Sequence, residues 1–387
     1  MKRLLSIILS AYMALSLCAC GNVKNTESAT SPQTALETQA VTEQSKKETE
    51  TQKPQAVPGD ILTVNYIDVG QGDSKFIELP NGETMLIDAG NPNNASGIIR
   101  LIKDKGYSTL NYVVATHPHA DHIGGMANVL DSFEIGKMYM PKKEHTSKTF
   151  ENLLDTIDNN NIELHSAKAG VNILDTTDLD IAILAPISDS YSDLNDYSAV
   201  VKITYKGNSF LFMGDAESIV EKELLNAKAN VKADVLKVGH HGSHYSSTSE
   251  FIKAVSPKYA AISCGANNQY GHPHSETLDR LNALDISIYR TDEVGTIVVT
   301  SDGVNITVDK KASSIKENAP PVVTEKVQQK ESNTSSASSS QTVYVTKSGS
   351  KYHRLGCQHL KKSQIEISLQ NAISGGYEPC SKCSPPR

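Results

Sequence analysis

The stretch His117-Pro118-His119-Ala120-Asp121-His122 places three imidazoles and one carboxylate within six residues. It directly follows the short apolar run 112–115, which predicts a buried strand. Ionisable groups at such a density are costly to bury unless they bind something. Imidazole nitrogens and carboxylate oxygens are common ligands of zinc, iron and manganese. The stretch therefore predicts a metal site at the end of a strand.

The spacing within this stretch suits two ions. His117 and His119 alternate along an extended loop, so both rings face the same way and fit one ion. Asp121 and His122 follow and fit a second ion. The sequence thus predicts one or two divalent ions, zinc or manganese, in this part of the chain.

Short strands and short helices surround the motif over residues 61–310. Strands are predicted at 61–67, 75–79, 84–87, 112–115, 180–184, 199–205, 209–213, 233–238, 258–263, 295–300 and 304–308, and helices near 98–106, 147–158, 216–226, 247–255 and 275–284. Runs of strands with helices to cover them favour an α/β architecture of two sheets sandwiched between helices.

Several other motifs occur in a fixed order around the histidine stretch. They are Ile67–Asp73, Leu86–Gly90, Phe212–Glu217, Lys237–Ser243, Tyr270–His274 and the segment 289–295. Together they resemble the metallo-β-lactamase superfamily, an αββα sandwich with metals at the sheet edge, and especially the hydrolase domain of ComEC-type DNA-uptake proteins. The resemblance covers about residues 61–308. The many membrane-spanning segments of a full ComEC protein are missing, which predicts a stand-alone version.

The resemblance also implies residue roles. Asp215 bridges the two metals, Asp121 orients the attacking water and relays its proton, and His272 contacts a phosphate or transfers a proton. The implied metal ligands are His117, His119, Asp121, His122, Asp215 and His240. His241 stays open as the alternative to His240, because the loop can present either ring, and Asp88 is expected to orient a ligand from behind.

One departure from the wider superfamily concerns the first metal. Its usual third histidine falls some twenty residues before Asp215, where this chain has 194–198 instead. That pattern resembles the ComEC-type branch and admits Asn195 or Asp196 as an oxygen ligand. An oxygen-richer site should accept Mn²⁺ more readily, because hard ligands match that ion.

Composition limits the substrate without choosing it. The 37 basic and 44 acidic side chains give a net charge of −7, which excludes DNA binding by bulk positive charge but not by a locally basic face. Our preferred hypothesis is a surface-anchored nuclease or phosphodiesterase that acts on extracellular DNA, with a DNA-uptake machinery as its partner and a monomeric chain. The alternatives are a surface hydrolase of small esters, lactones or phosphoesters, and a DNA-capture lipoprotein without catalysis.

The N-terminus predicts export. Lys2 and Arg3 precede an apolar run over 4–17, which is typical of a signal peptide. The following Leu-Cys-Ala-Cys-Gly resembles a bacterial lipobox, which makes Cys20 the lipidated residue after a signal peptide of residues 1–20. Cys18 is a weaker candidate because bulky Leu17 precedes it, and an ordinary cleaved signal is the alternative. Lipidation would anchor the protein to the outer face of the cell membrane.

Two polar, low-complexity segments divide the rest of the chain. Residues 21–58 and 311–340 have too few large apolar residues to offset the entropy of ordering, which predicts a flexible tether and linker. They isolate a hydrolase domain at 59–310 and a tail at 341–387. The tail has seven basic and two acidic residues, a formal charge of +5.

The tail carries a second set of ligands with metal-binding spacing. His353, Cys357, Cys380 and Cys383 fit a tetrahedral structural zinc that would stabilise a small α+β module, with a helix expected near 364–374. The arrangement resembles the metal-binding domain of Ada-type DNA-repair proteins and suggests nucleic-acid binding. His359 could replace His353, a Cys380–Cys383 disulfide is the alternative to zinc, and an attachment or protein-interaction module is the alternative to DNA binding.

Overall fold

The computed structural model describes two parts of the chain. These are residues 60–316 and, in the tail, 342–346, 349, 351–361, 363–369, 372 and 377–386. The predicted signal peptide with Cys18 and Cys20, the tether 21–58 and residues 317–340 of the linker lie outside the described residues.

The first described part contains fifteen strands. They are β1 (Leu62–Tyr66), β2 (Ser74–Glu78), β3 (Thr84–Ala89), β4 (Thr109–Val114), β5 (Glu134–Met140), β6 (Glu163–Ser166), β7 (Val171–Asp175), β8 (Leu179–Ala185), β9 (Val200–Tyr205), β10 (Asn208–Phe212), β11 (Val235–Lys237), β12 (Tyr259–Ile262), β13 (Ser287–Arg290), β14 (Ile297–Ser301) and β15 (Ile306–Val308). One sheet has the order β15-β14-β1-β2-β3-β4-β5-β6 and the other β13-β12-β11-β10-β9-β8-β7.

Helices cover the outer face of each sheet. They are α1 (Ala95–Asp104), α2 (Ala120–Ile123), α3 (Met126–Leu130), α4 (Lys148–Asn159), α5 (Ser218–Asn226), α6 (Ser249–Val255), α7 (Ser275–Asn282) and α8 (Thr291–Val294). In helix α1, for example, Ile98 and Ile102 are buried and lie one turn apart, so one apolar face of the helix packs against the sheet. Helix α4 begins at Ser147, whose hydroxyl accepts a hydrogen bond from the Phe150 amide at 3.2 Å.

Apolar side chains fill three layers. The central layer lies between the sheets, where the Tyr66 ring of β1 stacks on the Phe212 ring of β10 with centroids 6.0 Å apart. A second layer joins α1, α3 and α4 to the first sheet, and a third joins α5, α6 and α7 to the second sheet. The predicted two-sheet sandwich between helices is confirmed.

The topology brings the important loops to one edge. Strands β3, β4 and β5 are parallel neighbours, and so are β10, β11 and β12, so the segments after them leave each sheet on the same side. Strands β2 and β9 run antiparallel to β3 and β10, so the segments before them reach that edge as well. The histidine stretch and the sequence motifs quoted with it therefore meet at one edge of the sandwich.

Four strands, β5, β6, β7 and the edge strand β13, were not predicted from the sequence. The first half of β5 is exposed and contains Gly136 and Lys137, and β6 and β7 are edge strands with mixed burial. None has the continuous apolar run that identifies a buried strand.

The described tail contains two small strand pairs. Strands β16 (Thr342–Val345) and β18 (Ile365–Ser368) pair antiparallel, and β17 (Lys351–Tyr352) and β19 (Glu378–Pro379) pair parallel. The helix expected near 364–374 is therefore wrong for residues 365–368. Ile365 and Ile367 alternate with polar residues at the two-residue period of a strand, and this local pattern prevails.

Where the structure describes the chain, none of its helices has both the length and the apolar composition required to cross a membrane.

Candidate metal centre

The histidine stretch lies at the shared edge, directly after β4. The Thr116 amide and hydroxyl both donate hydrogen bonds to Asp88, at 2.8 Å each, which ties the start of the loop to the end of β3. Helix α2 begins after His119 and carries Asp121 and His122 in its first turn. The loop thus turns its ionisable side chains inward, between the ends of the two sheets.

The loop before β2, which contains Gly72 and Asp73, packs against this turn. The Asp73 amide donates to the Asp121 carbonyl at 3.0 Å, and Gly72 approaches the same carbonyl with φ +147°. A Cβ atom on Gly72 would lie 2.5 Å from the Asp121 carbonyl oxygen, so only glycine permits this contact.

We expect Gly72→Ala to lower the free energy of unfolding by about 1–3 kcal/mol, because the backbone at Asp121 must move away. Urea unfolding followed by circular dichroism measures the change. Gly97→Ala in α1 is the matched control, since its Cβ meets nothing within 4 Å and alanine favours a helix. Equal unfolding midpoints for the wild type and Gly72→Ala would contradict this packing.

Asp215 lies at the centre of the cluster, after β10. Its Oδ2 atom is near four imidazole Nε2 atoms: 3.2 Å from His122, 3.3 Å from His241, 3.9 Å from His240 and 4.0 Å from His117. The carboxylate is 3% exposed. A single carboxylate oxygen ringed by imidazoles from different loops has the position of a group that bridges two cations.

Two of these imidazoles are held in a metal-ready orientation. His122 Nδ1 lies 2.9 Å from Asp88 Oδ2, and His241 Nδ1 lies 2.9 Å from the Ser263 carbonyl oxygen. Each Nδ1–H thereby donates outward, which leaves Nε2 to face Asp215. This arrangement of an outer acceptor behind a ligand imidazole is usual at metal sites.

Asp121, His122, Asp215 and His241 form one compact group, in which one ligand atom from each lies within 4.8 Å of all the others. The Asp121 Oδ2 atom is 3.3 Å from His241 Nε2. The structure therefore brings the alternative residue, His241, into the group with Asp121 and His122.

His117, His119 and His240 lie outside this compact group and form the rest of the cluster. The His117 Nε2 and His119 Nδ1 atoms face each other at 2.9 Å. His240 presents Nε2 towards Asp215, while its Nδ1 is 3.1 Å from Glu217 Oε1. Both adjacent histidines reach the centre because His240 and His241 have left-handed backbone angles, with φ of 49° and 52°.

Residues 194–198, which replace the usual third histidine, lie at the edge of the group formed by His117, His119 and His240. The Asn195 side-chain amide donates to Glu217 Oε1 at 3.3 Å, and Asp196 Oδ1 accepts from the Glu217 amide at 3.4 Å. Burial, with Glu217 and Asp193 nearby, raises the pKa of Asp196 to about 7. Both predicted oxygen ligands thus contact Glu217, a residue that the sequence analysis did not single out.

A buried charge cluster supports the centre from behind. Asp73 Oδ2 accepts from Lys75 at 2.8 Å and from Lys237 at 2.5 Å, and all three side chains are fully buried. Asp73 Oδ1 also lies 3.5 Å from His241 Nδ1. Sequence reasoning assigned neither lysine a role, because Lys75 lies in a strand outside any quoted motif and Lys237 pairs with an aspartate that lies far away in sequence.

His272 is buried beside the paired histidines, with ring centroids 5.4 Å from His240 and 6.2 Å from His241. Its backbone amide donates to Asn268 Oδ1 at 3.0 Å, which holds the turn in place. Burial, with His240 and His241 nearby, holds its pKa well below the usual value. The structure places it in contact with both rings, and its role in phosphate contact or proton transfer stays a prediction.

The electrostatics of the centre fit bound cations. Among the described residues, His122 Nε2, Asp215 Oδ1, His240 Nδ1 and His241 Nε2 are buried and form no hydrogen bond of acceptable geometry. Against the opposing effect of burial, the carboxylates of Asp215, Asp88 and Asp121 raise the pKa of His122 to about 10. The buried carboxylates thus favour positive charge at this site, and divalent ions bound to the unpaired nitrogen atoms would supply it.

We expect metal affinity to increase with pH. With its pKa near 10, His122 is protonated at neutral pH in the metal-free chain, and the pKa of His241 is also raised well above its usual value. An ion must displace these protons, so affinity should fall about tenfold per displaced proton for each pH unit lost below that pKa. Calorimetry in buffers of different protonation enthalpy should show one to two protons released; a pH-independent affinity would contradict this expectation.

The tail contains a separate cluster. His353, Cys357, Cys380 and Cys383 offer four ligand atoms within 4.8 Å of one another. His353 Nδ1 is 3.3 Å from the Cys357 sulfur and 3.9 Å from the Cys383 sulfur, close to the spacing of about 3.5 Å expected around tetrahedral zinc. The three thiols are free, and His359 lies outside the group.

Strand pairing in the tail assembles this cluster. The Cys380 amide donates to the Tyr352 carbonyl at 3.0 Å, which places Cys380 beside His353. The Arg354 amide donates to the Cys383 sulfur at 3.4 Å, a contact typical of metal-binding thiolates.

His145 is a further histidine near the centre, outside every sequence motif. It is half-buried on the loop after β5, and burial together with His119 and Lys143 lowers its pKa to about 4. No motif surrounds it, so only the adjacency of β4 and β5 reveals that it lies near the centre.

Comparison with known proteins agrees with this geometry. The profile of the Metallo-beta-lactamase superfamily matches residues 67–266. "ComE operon protein 3" of Bacillus subtilis (strain 168) is 34% identical over 251 residues, 60% of this chain and 32% of that protein. "Competence protein ComA" of Neisseria gonorrhoeae is 30% identical over 247 residues, 63% of this chain and 33% of that protein. The chain thus spans about a third of the length of these curated relatives.

Proposed function

We propose, from the premise that this chain belongs to the metallo-β-lactamase superfamily, that it is a metal-dependent phosphodiesterase that cleaves DNA. The observation that carries the proposal is the ring of four imidazole Nε2 atoms around Asp215 Oδ2. Such an arrangement suits two cations that share one carboxylate, as in two-metal hydrolysis of phosphodiesters.

The ligands divide into two sets around Asp215. Asp121, His122 and His241 would hold one ion, and His117, His119 and His240 would hold the other. In this assignment His240 supplies the nitrogen that the missing third histidine would give, so zinc suits the site as well as manganese. Bound ions would supply Lewis acidity and lower the pKa of water.

The chain's own residues would complete the chemistry. Asp121 is 20% exposed, whereas Asp215 is 3% exposed, so Asp121 is the carboxylate of the group that can reach a water molecule at the mouth. It can orient that water and accept its proton. Asp88 and Ser263 accept hydrogen bonds from the Nδ1–H groups of His122 and His241, respectively. These two protons therefore point away from Asp215 and take no part in the reaction.

Charge favours an anionic substrate. Five carboxylates contact the imidazoles of the centre: Asp73, Asp88, Asp121, Asp215 and Glu217. The buried ammonium groups of Lys75 and Lys237 offset two of them. With two divalent ions the group would carry one positive charge, which matches one phosphodiester and not a neutral ester or lactone.

The competence proteins among the relatives make DNA the preferred phosphodiester. Export and lipidation at Cys20 would place the enzyme on the outer face of the membrane, where it would meet extracellular DNA and a DNA-uptake machinery. In the tail, a zinc ion on the His353 cluster would order a basic module able to bind nucleic acid.

A substrate panel tests the proposal. The full mature chain, loaded with Mn²⁺ or Zn²⁺, is assayed on single- and double-stranded DNA, bis(p-nitrophenyl) phosphate, a p-nitrophenyl ester and a lactone. We expect DNA cleavage that disappears with chelator and with Asp121→Asn. Turnover of the ester or lactone without DNA cleavage would favour the small-substrate alternative. Tight DNA binding without turnover of any substrate would favour the capture protein.

A further inference from the structure

We propose that the loop between β5 and α4, residues 141–147, is an arm that binds backbone phosphates of DNA that flank the scissile phosphate. The inference rests on the proposed phosphodiesterase function and deepens it. Strand β5 is the parallel neighbour of β4, so its following loop leaves the sheet beside the loop that carries His117 and His119. We call residues 141–147 the basic arm.

The basic arm is held against the second side of the centre by Lys143. Its ammonium group lies 4.6 Å from the centroid of the Tyr197 ring, a cation–π contact. Tyr197 is 6% exposed and directly precedes Ser198, whose hydroxyl lies 3.4 Å from His117 Nδ1 and accepts from the Asp215 amide at 3.0 Å. Tyr197 and Ser198 therefore connect Lys143 to His117 and Asp215.

His145 presents a neutral hydrogen-bond donor on the same arm. The Ser147 amide donates to its Nδ1 at 3.3 Å, so the ring proton is on Nε2. Ser147 is in turn fixed as the residue that caps the N-terminus of α4, where its hydroxyl accepts from the Phe150 amide. The ring therefore offers its Nε2–H as a donor on the arm.

Among the described residues, no carboxylate neutralises the ammonium groups of the arm. Other lysines, such as Lys105 and Lys168, pair with carboxylates, at 2.8 and 2.6 Å. Within the described part of the chain, neither Lys142 nor Lys143 has a carboxylate within 4.0 Å, although exposed Glu144 lies between them and His145 in sequence. Two cations and one neutral donor beside a phosphodiester centre suit a polyanion that extends past the scissile group.

This arrangement separates polymers from small diesters. An oligonucleotide has phosphates that reach the basic arm while another phosphate lies at the metals. Bis(p-nitrophenyl) phosphate has a single phosphate, which the metals would occupy. The arm should therefore contribute more to the affinity for DNA than to the affinity for the small diester.

The test compares the full metal-loaded chain with Lys142→Gln/Lys143→Gln and with His145→Ala. KM for a fluorescent single-stranded 20-mer and for bis(p-nitrophenyl) phosphate is measured from about 50 to 200 mM salt, together with metal content. Lys258→Gln is the matched control, because Lys258 is 71% exposed and precedes β12 at the opposite edge of the sheet.

We expect the double lysine variant to raise KM for the single-stranded 20-mer about tenfold and to reduce the slope of log affinity against log salt by about 1.4, or about 0.7 for each lysine. His145→Ala should raise KM about threefold without changing that slope, because a neutral donor releases no counterion. Metal content should equal that of the wild type. The increase in KM for the small diester should be at least about fivefold smaller than the increase in KM for the 20-mer.

Two results would overturn the inference. One is an unchanged salt slope in the double lysine variant, and the other is an equal loss on both substrates. If the wild type cleaves neither substrate, the proposed function fails. In that case, fluorescence anisotropy with the same 20-mer measures DNA binding by the arm independently of cleavage. Equal affinities of wild type and double variant would overturn it there too.

Discussion

Replacing Asp215 with asparagine should abolish tight binding of both core ions and lower DNA cleavage by at least about 1000-fold, or roughly 4 kcal/mol in the barrier. The reason is geometric. Asp215 Oδ2 is a carboxylate oxygen near imidazoles from both ligand sets, from 3.2 Å for His122 to 4.0 Å for His117. An asparagine keeps the size of the side chain but removes the negative charge that both ions would share.

Metal content by mass spectrometry and cleavage rates measure this effect. His241→Gln should lose one ion per chain and keep the other, because His241 belongs to only one ligand set. Asp180→Asn is the control, since Asp180 lies near the start of β8, opposite Thr204 and away from the site edge. An Asp215→Asn variant that keeps both ions and most of its activity would refute the bridging role.

Removing zinc from the His353 cluster should unfold the tail and leave the core folded. The described tail has only a small apolar cluster around Val343, Val345 and Tyr352, so metal binding must provide most of its stability. Structural zinc in such modules contributes about 10–16 kcal/mol near neutral pH. Cys380→Ser should have the same effect as the loss of zinc, because it removes one of four ligands.

Hydrogen exchange of the full chain, with and without a zinc chelator, measures this change. Backbone amides of residues 342–345 and 365–368 should lose protection, while those of β4 and β10 keep it. Cys264→Ala provides the control, because Cys264 is buried in the core and lies outside the tail cluster. Protected tail amides in the zinc-free chain would show that the apolar cluster is sufficient.

The sequence predicted the layers of the fold well, because buried strands and amphipathic helices leave local periodic patterns. Strand β4 and helix α4 lie close to their predicted positions for this reason. Edge strands such as β6 are half-exposed on both faces, so their patterns do not differ from those of loops. The tail strand at 365–368 shows the opposite error, since a helix was expected there from the length of the insert alone.

The candidate site was predictable wherever its residues are adjacent in a motif. The choice between His240 and His241 was not, because it depends on two left-handed residues and on a carbonyl of Ser263 from the end of another strand. The pairing of Asp73 with Lys237 was also hidden. It joins residues that are far apart in sequence and belong to different sheets, and neither residue shows the other in its local pattern.

The most direct test of the two-metal account is a titration of the metal-free full chain with Mn²⁺ or Zn²⁺. Core occupancy and DNA cleavage are followed in the same samples, after the tail zinc site has been saturated. We predict that cleavage rises with occupancy and reaches its maximum only when two ions are bound in the core. Full DNA cleavage with a single core ion, or no cleavage with both sites filled, would contradict the account.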